Sequence, residues 1–316
     1  MNHLRQITAI ARTTALEGLQ QPIAVLLFLT LVVLAALFPL IQLFTFGEEG
    51  RLARDSGLAL MLTHGLLLVT FTAGFTLADE LRRGTAATVL TKPVSRLTFL
   101  LGKYCGVLTV VALFCLSATL ATLMAERTAE HAIETQKYIG TMTDRPLGLG
   151  IFIGTGIALA VAALLNFLRR IRFSLAAVIG ILIAQLTVFA LSGFILRTGE
   201  IVHGYSLQMD LRIIPAAALI FLLLALYAAC ATAFSTRLTT GQTLLLCAAL
   251  LFLGFIPHTA LIPFIPSVRF FWATDALSNG GTISPGTLGM TTLYAAAIGA
   301  LYLSLGYRLL KHRDLG

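Results

Sequence analysis

Charge is scarce in this chain. Asp, Glu, Lys and Arg make up only 11% of its 316 residues, against about a quarter in an ordinary globular protein. So few charges cannot cover the surface of a water-soluble fold of this length. Disorder is excluded from the other side. A disordered chain is charge-rich and poor in apolar residues, whereas hydrophobic residues reach 58% here and the mean hydropathy is +0.92. Cysteine is nearly as rare. Cys105, Cys115, Cys230 and Cys247 sit singly in apolar runs with no C-x-x-C pair, which argues against a disulfide framework or a zinc site and for small apolar packing residues.

Catalytic signatures are missing as well. The one Gly-Lys pair, Gly102-Lys103, has Leu97 and Tyr104 where a phosphate-binding loop needs Gly and Ser or Thr. The chain is therefore not expected to hydrolyse nucleotide by itself. No G-x-S-x-G, H-E-x-x-H or Cys/His cluster is present, so no catalytic or metal-ligating residue is nominated and no cofactor is expected on this chain. Asp, Glu, Lys and Arg are absent from the middle of every long apolar run, where a charge usually marks an ion path. His64, Asn166 and Gln185 are the polar residues there, and His64 reads more readily as hydrogen-bonded to a neighbour than as a proton carrier.

Eight apolar runs near the 20 residues needed to span a bilayer lie at about 22–46, 58–78, 99–124, 147–168, 173–196, 213–234, 242–262 and 286–307. The fold class is therefore an all-α polytopic membrane protein with one membrane domain over 1–316. The run at 242–262 is the weakest, because Pro257 interrupts it and Pro263 and Pro266 follow. Residues 1–21 are too polar to span. Leu4, Ile7, Ala11, Ala15 and Leu19 recur at helical spacing, with Arg5, Arg12 and Glu17 elsewhere on the wheel, which predicts an amphipathic helix in the membrane interface. Pro22 suits the first position of the next helix, and the long run after it does not fit a cleavable signal peptide. Gly102-x-x-x-Gly106 and Gly150-x-x-x-Gly154 predict close helix approach. The aromatic stretch Phe264–Trp272 reads as an interfacial belt, with an exit lip as the other reading.

The net charge is +8, which in a soluble protein would suggest nucleic acid; here its placement explains it. With the N-terminus inside and eight spans, fourteen of the 22 Lys and Arg fall on inside segments, among them Arg82, Arg83, Lys92, Arg96, Arg169, Arg170, Arg172 and Arg308. Ten of the 14 acids fall outside. That is a positive-inside pattern with both termini cytoplasmic, and it leaves no role for a nucleic-acid partner.

The inside loop between the second and third spans, residues 79–98, carries the most information. Leu81, Thr85, Thr88 and Val89 share a helical stripe with Arg82 and Arg83 beside it, and Thr91-Lys92-Pro93 ends the helix. A short amphipathic helix with basic flanks suits docking into a groove on a partner; a surface helix with topogenic charges is the other reading. On the docking reading Leu81, Val89 and Leu90 bury against the partner while Arg82, Arg83, Lys92 and Arg96 steer it.

The string Glu80…Gly84-Thr85…Leu90-Thr91-Lys92-Pro93-Val94-Ser95-Arg96…Gly102-Lys103 resembles the hallmark of ABC transporter permeases of the type-2 exporter class. Within that class it is most similar to the branch that includes the permeases of nitrous-oxide-reductase maturation and of gliding motility. Phe234-Ser-Thr-Arg-Leu238, Phe271-Trp-Ala-Thr-Asp-Ala-Leu277 and the closing Lys311-His-Arg-Asp314 also fit. The resemblance implies an N-terminal elbow helix over 1–21 and a coupling loop over 79–98 that meets a separate ABC ATPase, which would bind ATP-Mg. It further implies a dimer with a second copy or a paralogue, and export across the bacterial inner membrane. Members of the class usually have six spans, so 147–196 reads as an added hairpin. The competing functions are a secondary transporter and a non-transporting scaffold that anchors an ATPase.

Overall fold

The computed structural model describes residues 3–41, 47–82, 95–135, 138–197, 199–201, 204–206, 208–256, 265–278 and 281–312. The chain is an all-α polytopic membrane protein; among the described residues seven helices are long and apolar enough to cross a bilayer. Helix α1 (His3–Leu19) leads into α2 (Pro22–Ile41). Helix α3 (Glu49–Ala73) runs through a π-helical turn (Gly74–Ala78) into α4 (Asp79–Arg82), making one rod of 34 residues. Then come α5 (Arg96–Thr128), a β1–β2 hairpin (His131–Thr135, Tyr138–Met142), α6 (Arg145–Arg169), α7 (Phe173–Ser192) and α8 (Ile213–Phe234). Helix α9 (Thr240–Phe255), a 3₁₀ turn (Val268–Phe270), α10 (Thr274–Ser278) and α11 (Pro285–Lys311) complete the chain.

Lipid offers no hydrogen bonds, so each span satisfies its own backbone and its ends need partners. Short polar side chains supply them. Ser95 accepts the Thr98 N–H, Asp144 the Leu147 N–H and Ser284 the Thr287 N–H, while Thr239 and Gln242 form a reciprocal capping box.

Helices α8 and α5 form the centre. The stretch Tyr227–Ala231 of α8 is wholly buried among α3, α5, α9 and α11, which its Ala and Cys side chains allow by keeping the helix thin. The charge-free stretch Tyr104–Ala125 of α5 measures about 33 Å, close to the ~30 Å hydrocarbon core. The cations near its two ends, Lys103 and Arg127, are both buried. Phe28 of α2 meets Phe114 of α5 edge-on at 5.2 Å. The α6–α7 pair packs mainly on itself at the periphery, against α2 and α5. In the middle of the span it is held by a reciprocal pair: Ser117 Oγ donates to Gln185 Oε1 (2.7 Å) and Gln185 Nε2 to the Ser117 carbonyl (3.1 Å).

Four features depart from the sequence reading. First, α1 buries only the later part of its predicted stripe, Ala15 and Leu19, and buries Gln6, Thr14 and Gly18 beside it. Leu4 is exposed. The glycines of Gly102-x-x-x-Gly106 explain this: a Cβ at Gly102 would lie 2.7 Å from Ile10, and one at Gly106 2.8 Å from the Ala11 carbonyl. Helix α1 thus lies directly on α5, and closeness of approach selects its face. Second, the 242–262 run forms the 16-residue α9, about 24 Å long and shorter than the core; residues 257–264 lie outside the described residues. Third, Val268 and Phe271 are fully buried, with Phe271 tilted against Tyr294 at 6.0 Å. One face of the described part of Phe264–Trp272 is therefore wedged into the protein, because a 3₁₀ turn puts i and i+3 on one face, while Arg269 and Phe270 stay exposed on the other. Fourth, the 125–146 connection holds an antiparallel hairpin pairing His131 with Met142 and Thr135 with Tyr138.

Candidate functional site

At the end of the bundle that carries residues 79–98, a buried cation ties four elements together. Lys103 of α5 is 3% exposed. Its Nζ donates to Glu80 Oε1 of α4 (2.6 Å) and to the Thr76 carbonyl in the π turn (2.7 Å). Glu17 of α1 lies 3.9 Å away, and the Phe99 ring centroid at 5.7 Å. An ammonium removed from water needs such partners, because an unpaired buried charge is strongly destabilising. The π turn contributes by its geometry. The Asp79 N–H bonds to the Gly74 carbonyl five residues back, which inserts one residue into the turn just ahead of Glu80; single π turns inside α-helices frequently accompany functional sites.

An apolar cluster lies beside this clamp. Leu77, Leu81, Phe99, Leu100 and Leu310 pack together with Ile10 and Tyr307 at its edge. Leu81 is thus buried inside the chain itself, so the expectation that it anchors a partner is corrected: it fixes the start of the loop. Gly74 admits a second element, since a Cβ there would lie 2.4 Å from the Thr240 side chain. The start of α9 therefore touches the π turn directly through Thr240.

The far side of the loop is tied to α11. Ser95 caps α5, and Arg96 Nη1 donates to the carbonyls of Leu310 (2.9 Å) and Lys311 (2.6 Å). Arg237 Nη2 donates to the Leu309 carbonyl (3.0 Å). The last carbonyls of a helix lack intrahelical partners and carry its negative dipole end, so two guanidinium groups stabilise them. Arg96, half-buried, thus holds the end of α11 through Nη1. Arg82 remains exposed. Arg83, Gly84, Thr85, Val89, Leu90, Lys92, Pro93 and Val94 lie outside the described residues, so of the predicted set Glu80, Leu81, Arg82, Ser95 and Arg96 are placed. The sequence reading assigned no role to Lys103 or Glu17. The signal was present, since Lys103 is a lone cation at the edge of an apolar run.

The opposite end of α5 holds a second knot. Arg127 Nε donates to Asp144 Oδ2 (2.8 Å), Nη1 to the Ser192 carbonyl (2.7 Å) and Nη2 to the Ile195 carbonyl (2.6 Å). The pair is essentially unexposed and joins α5 to both helices of the α6–α7 pair, beside a cavity of about 120 Å³. Nearby, burial pushes the Asp210 carboxyl up, but hydrogen bonds from the Arg212 guanidinium and backbone outweigh it and hold the group below the usual carboxylate range. Among the described residues no three His, Cys, Asp or Glu side chains come together as a metal site, and all four cysteines are free thiols. No known family model matches the chain, and no curated protein matches it.

Proposed function

We propose that this chain is the permease subunit of an ATP-driven transporter, working with a separate ABC ATPase that binds ATP-Mg and paired with a second copy or a similar chain. The observation that supports this reading is the anchoring of the 83–94 segment on both sides: Glu80 to Lys103 on one, Arg96 to the end of α11 on the other. A segment held this way transmits a push at its tip to α1, α3, α5 and α11 together. Movement of the attached ATPases would then rock whole helices between two packings rather than bend one loop. The reading places residues 79–97 in the cytoplasm of a bacterial cell, with both chain ends on that side, and export as the direction. It competes with a scaffold that merely anchors an ATPase.

The test is co-purification and turnover with the cognate ATPase. The chain alone should show no ATP hydrolysis, and the reconstituted complex should hydrolyse ATP at a rate that responds to the transported compound. Leu90→Asp should release the ATPase from membranes, because truncating or charging a buried anchor costs about 2 kcal/mol or more. Assembly with no response of hydrolysis to any transported compound would favour the scaffold. A complex left whole by Leu90→Asp would remove the docking assignment.

A further inference from the structure

We propose that the α6–α7 pair is a binding site for an anionic phospholipid, with the phosphate held at the Arg169–Phe173 turn and an acyl chain lying in the groove between the two helices. This does not rest on the transporter reading; it needs only the pair to stand in a bilayer.

The turn concentrates positive charge in a fixed shape. Arg169, Arg170 and Arg172 are exposed within four residues. The turn is closed by the Asn166 side chain, which donates to the Ile171 carbonyl at 2.7 Å, and by the Arg170 N–H on the Asn166 carbonyl at 3.1 Å. Arg170 sits at φ 54°, in the left-handed region where a helix end usually places Gly. A long cation has been kept there at a conformational cost. No acid pairs with Arg169 or Arg170 among the described residues, and Arg172 donates to neutral Gln20 at the α1–α2 junction. Helix α7 begins at the same place with no side-chain cap, so its first N–H groups and positive dipole end face the same spot. Three guanidinium groups and an open helix N-terminus form an anion site, and the contact with Gln20 sets it level with the interfacial helix α1.

An apolar groove lies further along the same pair. Gly154, Ala158 and Val161 of α6 and Gly180, Ala184 and Thr187 of α7 line a space of about 360 Å³ over the close contact of the two helices, rimmed by the exposed Ile157 and Ile183. Its lining is almost entirely apolar. At 1.5 Å per residue it runs from about 12 to 22 Å below the arginines, and half the hydrocarbon core is about 15 Å. A lipid whose phosphate rests on the turn therefore brings its chain ends to this depth. A helix of another copy would fill the groove but leave the arginines without a counter-charge; one lipid answers both.

The test is lipid retention by the purified full chain, measured by native mass spectrometry with dioleoyl-phosphatidylglycerol or dioleoyl-phosphatidylcholine. The wild type should retain the anionic lipid at least about tenfold better. Arg169→Gln/Arg170→Asn/Arg172→Gln, with Asn chosen because it tolerates the left-handed backbone, should abolish that preference without lowering the unfolding temperature. Val161→Trp fills the groove from its exposed rim, so it should cut retention several-fold and leave the preference for anionic lipid. Equal retention of the two lipids, a preference that survives the triple substitution, or displacement by soluble glycerol 3-phosphate at lipid-like concentration would overturn the proposal. So would unchanged retention in Val161→Trp, or a crosslink between two copies through a cysteine at 161.

Discussion

Removing Glu80 should destabilise the protein more than removing Lys103, although each substitution breaks the same ion pair. The asymmetry follows from what is left behind. In Glu80→Ala the stranded group is an ammonium whose side chain is 4% exposed, left with the Thr76 carbonyl, the Phe99 ring face and a distant, half-exposed Glu17. Leaving a buried charge without its partner costs about 3–5 kcal/mol, and the Glu17 contact at 3.9 Å returns at most ~1 kcal/mol through water. A net loss of about 3 kcal/mol is expected. In Lys103→Met the stranded group is a carboxylate whose side chain is 24% exposed, against 4% for the lysine, although its Oε2 is buried. The loss there is the charged hydrogen bond alone, about 1.5 kcal/mol. The double variant should be less destabilised than the sum of the singles by about 1–2 kcal/mol, because neither charge is then stranded. Reversible unfolding in mixed micelles measures all three values. Proteolysis within 83–94 gives a local readout: loosening the start of the loop by ~1.4 kcal/mol should raise cleavage about tenfold. Finding Lys103→Met worse than Glu80→Ala, or strict additivity in the double variant, would refute the clamp.

Three further outcomes follow from the packing. Gly106→Leu should detach α1 from α5, because even a Cβ there meets Thr14 at 2.5 Å; a cysteine placed at the fully buried Thr14 should then become open to thiol reagents, while Gly156→Ala, which meets nothing within 4 Å, should leave stability within ~1 kcal/mol. Arg127→Met should cost about 3–5 kcal/mol in the same unfolding assay by stranding Asp144, and adding Asp144→Asn, which keeps the Leu147 cap, should recover part of it. Reporter fusions after residues 53, 135, 205 and 275 should report outside and those after 90, 170, 238 and 314 inside; an inside report at 275 would mean that the α9 to 278 region does not complete a crossing.

The membrane class and the span positions were legible because they depend on quantities that add along the chain. Twenty apolar residues make a span whatever surrounds them, and Ser95, Thr239 and Ser284 mark helix starts through bonds to residues three positions on. Even the short α9 was flagged by its flanking prolines. The segment 79–98 was expected as one loop, whereas its described ends belong to α4 and α5. Leu81 looked like any other member of an apolar stripe, and only Phe99, Leu100 and Leu310 folding over it show that it faces inward.

The sequence by itself determined that this chain lives in lipid, where its long apolar runs lie, and where its charges gather, because transfer from water to hydrocarbon is a property of each residue and sums locally. Tertiary structure alone decided which charges meet and which faces touch. Lys103 is joined to Glu80 and Glu17, Arg127 to Asp144, and α1 rests on the glycines of α5 through Ile10, Thr14 and the Ala11 carbonyl while its first apolar residue, Leu4, stays exposed. The physical reason is that inside a bilayer hydrophobicity no longer distinguishes one apolar face from another. Close approach of small residues and the pairing of the few polar groups then set the arrangement, and both depend on partners tens of residues away.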